Sequence, residues 1–305
     1  MDLKENELKI AQLENELIAC DFESEDFKRI QNELKELKIK TYSNLTAWDK
    51  VCIARGEKRI KAKVLIDKLF TSFFELHGDQ YFSDDQSIIS GIALLDNIPV
   101  TVIAQAKGNN ITENLKRNFG MTSPEGFRKA LRVAKQAEKF NRPIITIVDT
   151  SGAYPGKGAE ERGQARAIAQ NLMEFSKLNV PVISIVLSEG GSGGALALSV
   201  SDYIFMFENA VYSILSPEGF TSILFKDTVK VNEACELMKL TSQDLYDMNI
   251  IDEIIKEPLG GIRVLNESFV NELKNKLVNK INELNSLTNE ELLNNRYNKF
   301  RRIGC

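Results

Sequence analysis

Apolar residues recur along this chain in two rhythms. Near the N-terminus Leu3, Ile10, Leu13 and Leu17, then Phe27, Ile30, Leu34 and Leu37, fall mostly at three- and four-residue steps. That spacing lays an apolar stripe along one face of a helix. Glu, Lys and Asn fill most remaining positions, and the stripe breaks near Asp21–Ser24. Residues 3–40 read as one or two amphipathic helices, an arm that can pack on its own core or on a second chain. Phe269, Leu273, Leu277, Ile281 and Leu284 repeat the helical rhythm, and Thr288 with Glu291 has the capping-box pattern for a last helix.

Between these ends the rhythm is that of strands. Ile88–Leu95 and Ile98–Ala104 are β-rich runs joined by Asp96–Asn97, a hairpin signal. Pro99 restricts its strand to a sheet edge or to its first positions. Pro143–Asp149 and Val180–Leu187 are solid apolar, β-branched runs, the mark of buried strands. Tyr203–Phe207, Ala210–Leu215 and Ile250–Ile255 read as short strands, and Lys107–Gly108 as the end of the second hairpin strand. Ser123-Pro124-Glu125 and Ser216-Pro217-Glu218 have the order N-cap, proline, acid that opens a helix. Further helices are expected over about 159–177, from Ala195, and on to about Met248. Residues 41–86 read as short helices leading to LFTSFFELHGDQYFSDD. His77, the single histidine, is expected at a helix end, meeting free carbonyls.

Two strands run straight into glycine loops. After Val180–Leu187 come Gly190, Gly191, Ser192, Gly193 and Gly194, then a helix. After Pro143–Asp149 come Ser151, Gly152, Ala153, Tyr154, Pro155, Gly156, Lys157 and Gly158, then a helix. A glycine loop at a helix N-terminus leaves backbone N–H groups facing any ligand, with no side chain in the way. An oxyanion cradle and a tight turn in a close-packed core both fit that pattern. The repeat of strand, glycine loop and helix implies stacked units with both loops on one side.

Composition narrows the choice. The chain has 305 residues and a net charge of −4 with both signs mixed. That argues against nucleic acid or anionic membrane as the main partner. No apolar run approaches the length of a membrane span, and the polar MDLKENELK start is no signal peptide, so a cytoplasmic protein is expected. Cys20, Cys52, Cys235 and Cys305 are far apart without a C-x-x-C pair, which argues for reduced thiols and against a metal site. Arg128, Lys129, Arg132 and Lys135 form a basic face, read as a solvated helix surface, with a phosphate or acidic partner as the alternative. Gly152-x-x-x-Gly156-Lys157 is one residue short of a P-loop and lacks its hydroxyl. Gly191-x-Gly193-x-x-Leu196 lacks the third glycine of a dinucleotide fingerprint. Gly190-x-Ser192-x-Gly194 satisfies the nucleophile-elbow pattern, but His77 precedes the serine, contrary to that fold's order.

RNFGM (Arg117–Met121), PEGFRKALR (Pro124–Arg132), DTSGAYPGKGAEERGQ (Asp149–Gln164), EGGSGGALAL (Glu189–Leu198) and SPEG (Ser216–Gly219) together resemble the carboxyltransferase alpha subunit of bacterial acetyl-CoA carboxylase. GDQYFSDD, EPLGGI and LTNEELLNNRYNKF extend the resemblance to nearly the whole chain. The family usually has proline where Ser151 stands and arginine where Gln80 stands, and a small residue can replace Phe220.

The resemblance implies an α/β, crotonase-like spiral of β-β-α units. It assigns residues 1–60 to an N-terminal helical arm, 61–262 to the carboxyltransferase core and 263–305 to C-terminal helices. It implies transfer of a carboxyl group from carboxybiotin, held on a biotin carboxyl carrier protein, to acetyl-CoA, giving malonyl-CoA for fatty-acid synthesis. Biotin is not attached to this chain, and no metal is expected in it. The partner is a beta subunit bearing a zinc ribbon, in an assembly of two alpha and two beta subunits. Gly193 and Gly194 are expected to supply the oxyanion hole for carboxybiotin, and Gly152, Ala153, Gly156, Gly191 and Ser192 to line the substrate site. Gly193→Val or Gly194→Val should then abolish malonyl-CoA formation with folding intact. The alternatives are a crotonase-fold acyl-CoA hydratase or hydrolase acting alone, and a scaffold subunit whose glycine loops only pack.

Overall fold

The structure, a computed structural model, describes residues 3–226 and 229–304. Its centre is an eight-stranded sheet. In chain order the strands are β1 (Thr71–Glu75), β2 (Ile88–Leu95), β3 (Ile98–Gln105), β4 (Ile144–Thr150), β5 (Val182–Gly191), β6 (Tyr203–Phe207), β7 (Val211–Ser213) and β8 (Glu253–Ile255). They lie in the order β1-β2-β3-β4-β5-β6-β8, with β7 against the end of β5. β1 to β3 are antiparallel, and β3 to β6 and β8 are parallel.

The hairpin is as expected. Leu95 pairs with Ile98, and Asp96 takes φ +52° at the turn, as a two-residue hairpin turn requires. Pro99 is the second residue of β3. Every residue of β4 and β5 is buried, because a parallel sheet is covered on both faces. β4 and β5 pair from Ile144↔Val182 to Val148↔Val186, then the register shifts and resumes at Thr150↔Gly190. At the same level β5 pairs with β7, and Thr122 bridges Ala153. β5 runs on through the shift to Gly191, and past the end of β4 the single bridge at Ala153 precedes the next helix.

The N-terminal stripe is covered from within the chain. Helices Leu3–Ala19 and Glu25–Tyr42 pack on each other, and Ser24 caps the second by accepting from the Phe27 N–H at 3.0 Å. Leu3, Ile10, Leu34, Tyr42 and Ile53 form a small core of their own. At the other end, helix Glu267–Asn285 buries Leu273, Leu277 and Ile281 in the main core, each worth about 1.5–3 kcal/mol of transfer free energy. The last helix, Asn289–Arg301, starts on the expected Thr288–Glu291 capping box.

Several local expectations are corrected. Thr71–Glu75 is a strand where short helices were expected, because its Thr and Phe residues pair along the open side of β2. His77 therefore follows a strand and is at no helix end; it is exposed, with Nδ1 3.3 Å from Asp84. The helix expected over 159–177 is two pieces, Lys157–Glu161 and Gln164–Phe175, because Gly163 takes φ +83°. The strand expected over 210–215 is shorter, and the helical stretch reaching Met248 is three separate helices, Pro217–Leu224, Val231–Met238 and Ser242–Asp247. Ser123 has N-cap geometry but its hydroxyl makes no cap bond; its N–H instead donates to Asp85 Oδ2 at 2.7 Å. Cys20, Cys52 and Cys235 are free thiols, and Cys305 lies outside the described residues.

Candidate active site

The two glycine loops meet backbone to backbone. β5 ends at Gly191, the N-cap of helix Ser192–Ser199. A Cβ on Gly191 would overlap the Ser151 carbonyl, and one on Gly194 would lie 2.5 Å from Ala153 N and 2.6 Å from Gly152 C. Only glycine permits that approach. Gly193 differs: its nearest neighbour beyond the adjoining chain is Ile168 Cγ2, at the ordinary distance of 3.4 Å.

The helix start is shaped for an anion. Ser192 takes φ +53°, so a left-handed residue is followed at once by a right-handed helix. That sequence of conformations gathers consecutive N–H groups into a concave nest. The amides of Ser192, Gly193 and Gly194 belong to the first turn, which has no intrahelical acceptors for them, and the helix dipole adds positive potential there. Gly191 carries no side chain to cap them. Gln105, fully buried on β3, donates from Nε2 to the Gly194 carbonyl at 2.7 Å and fixes that peptide's direction.

The other expected site residues divide. Gly191, Ser192, Gly152 and Ala153 all lie at this junction. Gly152 takes φ +149°, and its N–H is consumed by Thr150 Oγ1 at 3.1 Å, so it shapes the loop and offers no donor. Tyr154 N–H is likewise consumed, by the Thr122 carbonyl at 3.0 Å. Gly156 stands further out, with no room for a Cβ beside the Tyr154 ring, and opens the helix Lys157–Glu161. Ser192 is exposed, and among the described residues its hydroxyl has no hydrogen bond. His77 engages Asp84. The elbow pattern has strain and exposure, but its serine has no paired base.

A charged cluster under the loops had no motif to announce it. Lys107 Nζ is 3.1 Å from Asp149 Oδ1 and 3.2 Å from Glu189 Oε2. Arg55 holds Glu189 Oε1 at 2.8 Å and Glu218 Oε1 at 2.6 Å. Burial alone would depress the Lys107 pKa, but Asp149 and Glu189 more than reverse it, and the net shift is upward. Burial alone would raise Glu189, but Lys107 and Arg55 hold it below the ordinary carboxylate value. The visible signal is that Lys107, Asp149 and Glu189 each stand at a strand end just before a glycine turn.

Most of the basic face of helix Pro124–Lys139 is tied to the protein; Lys135 alone keeps the expected solvated character, 42% exposed and paired with Glu174 at 2.7 Å. Lys129 is fully buried, donating to Asp84 Oδ1 at 2.6 Å and the Asp85 carbonyl at 2.8 Å. Arg128 pairs with Asp79, and Arg132 donates to the carbonyls of His77 and Gly78. These cations staple the 77–85 loop to the helix. Among the described residues no group of three or more His, Cys, Asp or Glu could hold a metal, and no helix is long and apolar enough to cross a membrane.

A family model described as acetyl co-enzyme A carboxylase carboxyltransferase-like matches residues 1–304. The acetyl-coenzyme A carboxylase carboxyl transferase subunit alpha of Clostridium botulinum (strain Eklund 17B / Type B) is 56% identical over 266 residues, 87% of this chain and 97% of that protein. A subunit alpha of Staphylococcus epidermidis is 50% identical over 301 residues, covering 99% and 95%. A Clostridium tetani protein named as subunits beta/alpha is 54% identical over 93% of this chain and 49% of its own length. Among solved structures, the transcarboxylase 12S core superposes with TM-score 0.59 at 19% identity, over 73% of this chain and 42% of that one. A Pseudomonas malonate decarboxylase hetero-tetramer with coenzyme A gives 0.59 at 14% identity, over 70% and 85%. At such identities the likeness shows the fold alone, the crotonase-like carboxyltransferase fold that was expected.

Proposed function

This chain belongs to the acetyl-CoA carboxylase carboxyltransferase family as an alpha-type member, and from that premise we propose that its Gly193 and Gly194 amides form the oxyanion cradle for carboxyl transfer to acetyl-CoA. Carboxybiotin, delivered by a carrier protein, supplies the activated carboxyl group. The nest fits such a group: its donors are main-chain amides at a helix start, and Gly193 leaves the approach open. The Gly193 and Gly194 N–H groups would hold the ureido oxygen of that group, as preorganised donors aimed where an oxyanion would be stabilised. Gly152 and Ala153 form the wall of the cradle, and Gln105 holds the Gly194–Ala195 peptide next to it. No side-chain base is required of this chain for that role. A beta subunit completes the acetyl-CoA side; two alpha and two beta subunits assemble in the cytoplasm, and the product is malonyl-CoA. The observation that carries this reading is the open Gly193 at the left-handed entry to helix Ser192–Ser199.

The test is the reverse reaction. The chain is mixed with a beta subunit, free biotin and malonyl-CoA, and loss of malonyl-CoA is followed. Activity should appear only in the mixture. Gly193→Val should fold and assemble but block the approach to the amides, and so lose at least the roughly 100- to 1000-fold in kcat that one oxyanion donor supplies. Wild-type turnover in that variant would remove the assignment. Turnover of an acyl-CoA by the chain alone would favour the single-chain hydratase or hydrolase.

A further inference from the structure

β3, β4 and β5 are adjacent and parallel. Lys107 follows β3 and stands before Gly108; Asp149 precedes the Ser151–Gly152 turn; Glu189 precedes Gly190–Gly191. The sheet thus brings one cation and two anions to one level, just below the two loops that meet at Gly194. We propose that Lys107 is a positioning residue for carboxyl transfer: its ammonium bridges Asp149 to Glu189 and so fixes the spacing of the two glycine loops. The proposal rests on the Gly193–Gly194 cradle described above.

The contacts on each side differ in a way that matters. Asp149 is buried, and among the described residues neither of its carboxylate oxygens accepts a geometrically sound hydrogen bond. The Lys107 ammonium, 3.1 Å away, is its single ion-pair contact among these residues. Glu189 has a second tie, from Arg55 at 2.8 Å. Taking the charge off Lys107 therefore leaves Asp149 with no cation in ion-pair contact among these residues, while Glu189 keeps Arg55. The Lys107 stem is itself confined, since a Cβ on Gly120 would lie 2.9 Å from Lys107 Cγ. Glycine at 120 gives the lysine its channel. Because Gly194 packs on Gly152 and Ala153 without clearance, a shift of the β4 loop moves one wall of the cradle. A group that holds geometry without touching substrate should affect kcat and leave KM alone.

Lys107→Met and Lys107→Arg are made in the full chain and assayed with a beta subunit, malonyl-CoA and free biotin. Lys107→Met should assemble by size-exclusion chromatography and lose about 10- to 100-fold in kcat, the scale of a sub-ångström to 1 Å misplacement. KM for malonyl-CoA should not change. Lys107→Arg restores the bridge and should recover most of the rate. Wild-type kcat in Lys107→Met overturns the proposal, as does a rise in KM with kcat intact. A slow Lys107→Met that arginine does not rescue overturns it too, since a bridging charge is then not what was lost. Should Lys107→Met fail to assemble, Asp149→Asn takes the charge from the end of the bridge that Lys107 alone holds among the described residues while keeping side-chain shape; it must show the kcat-only loss, and a wild-type rate there refutes the clamp. Full activity in Gly193→Val removes the cradle itself. An inactive Gly193→Val beside a fully active Lys107→Met removes only the clamp.

Discussion

Gly193 and Gly194 are neighbours with opposite tolerance. The expectation that valine at either position would block the site without harm to folding is corrected at Gly194, where any Cβ meets the Gly152 and Ala153 main chain. Gly194→Ala should lower stability by about 1–3 kcal/mol, the usual cost of overpacking, whereas Gly193→Ala should melt close to wild type; thermal unfolding separates them. Glu189 makes a pH prediction. Its folded-state pKa lies below the unfolded one, so its pairing stabilises at and above the ordinary glutamate range and is lost as pH falls through the depressed value. Glu189→Gln should flatten the acid limb of a stability-against-pH curve below about pH 4.3. The glycines were legible because close backbone approach has no other residue to use. Gln105 and Lys107 were not, because their partners, Gly194 for the first and Asp149 and Glu189 for the second, come from other strands and loops far along the chain.

Elements with local causes were legible from sequence. The hairpin turn, the Thr288–Glu291 capping box and the N-terminal stripe each follow from residues within one or two turns of each other. β1 was not, since Thr71–Glu75 becomes a strand only by pairing with β2. The basic stripe on helix Pro124–Lys139 failed for a related reason: the acidic groups that bury it come from residues 79–85. The last helix depends on one such remote bond set. Buried Arg296 pairs with Asp202 at 2.6 and 2.8 Å and donates to the carbonyls of Phe175, Leu178 and Val180. Arg296→Met would leave Asp202 buried without its cation, and should cost about 3–5 kcal/mol, read as a lower melting temperature.

For the whole molecule, the fold brings two loops about 40 residues apart in sequence into one junction, at the ends of adjacent parallel strands, where α/β sheets characteristically place their ligands. Architecture and family were readable because the glycine motifs span that junction; the charged support beneath it had to be seen in three dimensions. The nest has a consequence for how the enzyme can be dissected. Its working groups are peptide bonds, so no codon change deletes them. Scanning with alanine through 190–194 would report clearance and delete none of the donors. Semisynthesis with an ester in place of the peptide linkage that carries the Gly193 N–H would remove a single proton donor, add no bulk, and measure what that hydrogen contributes.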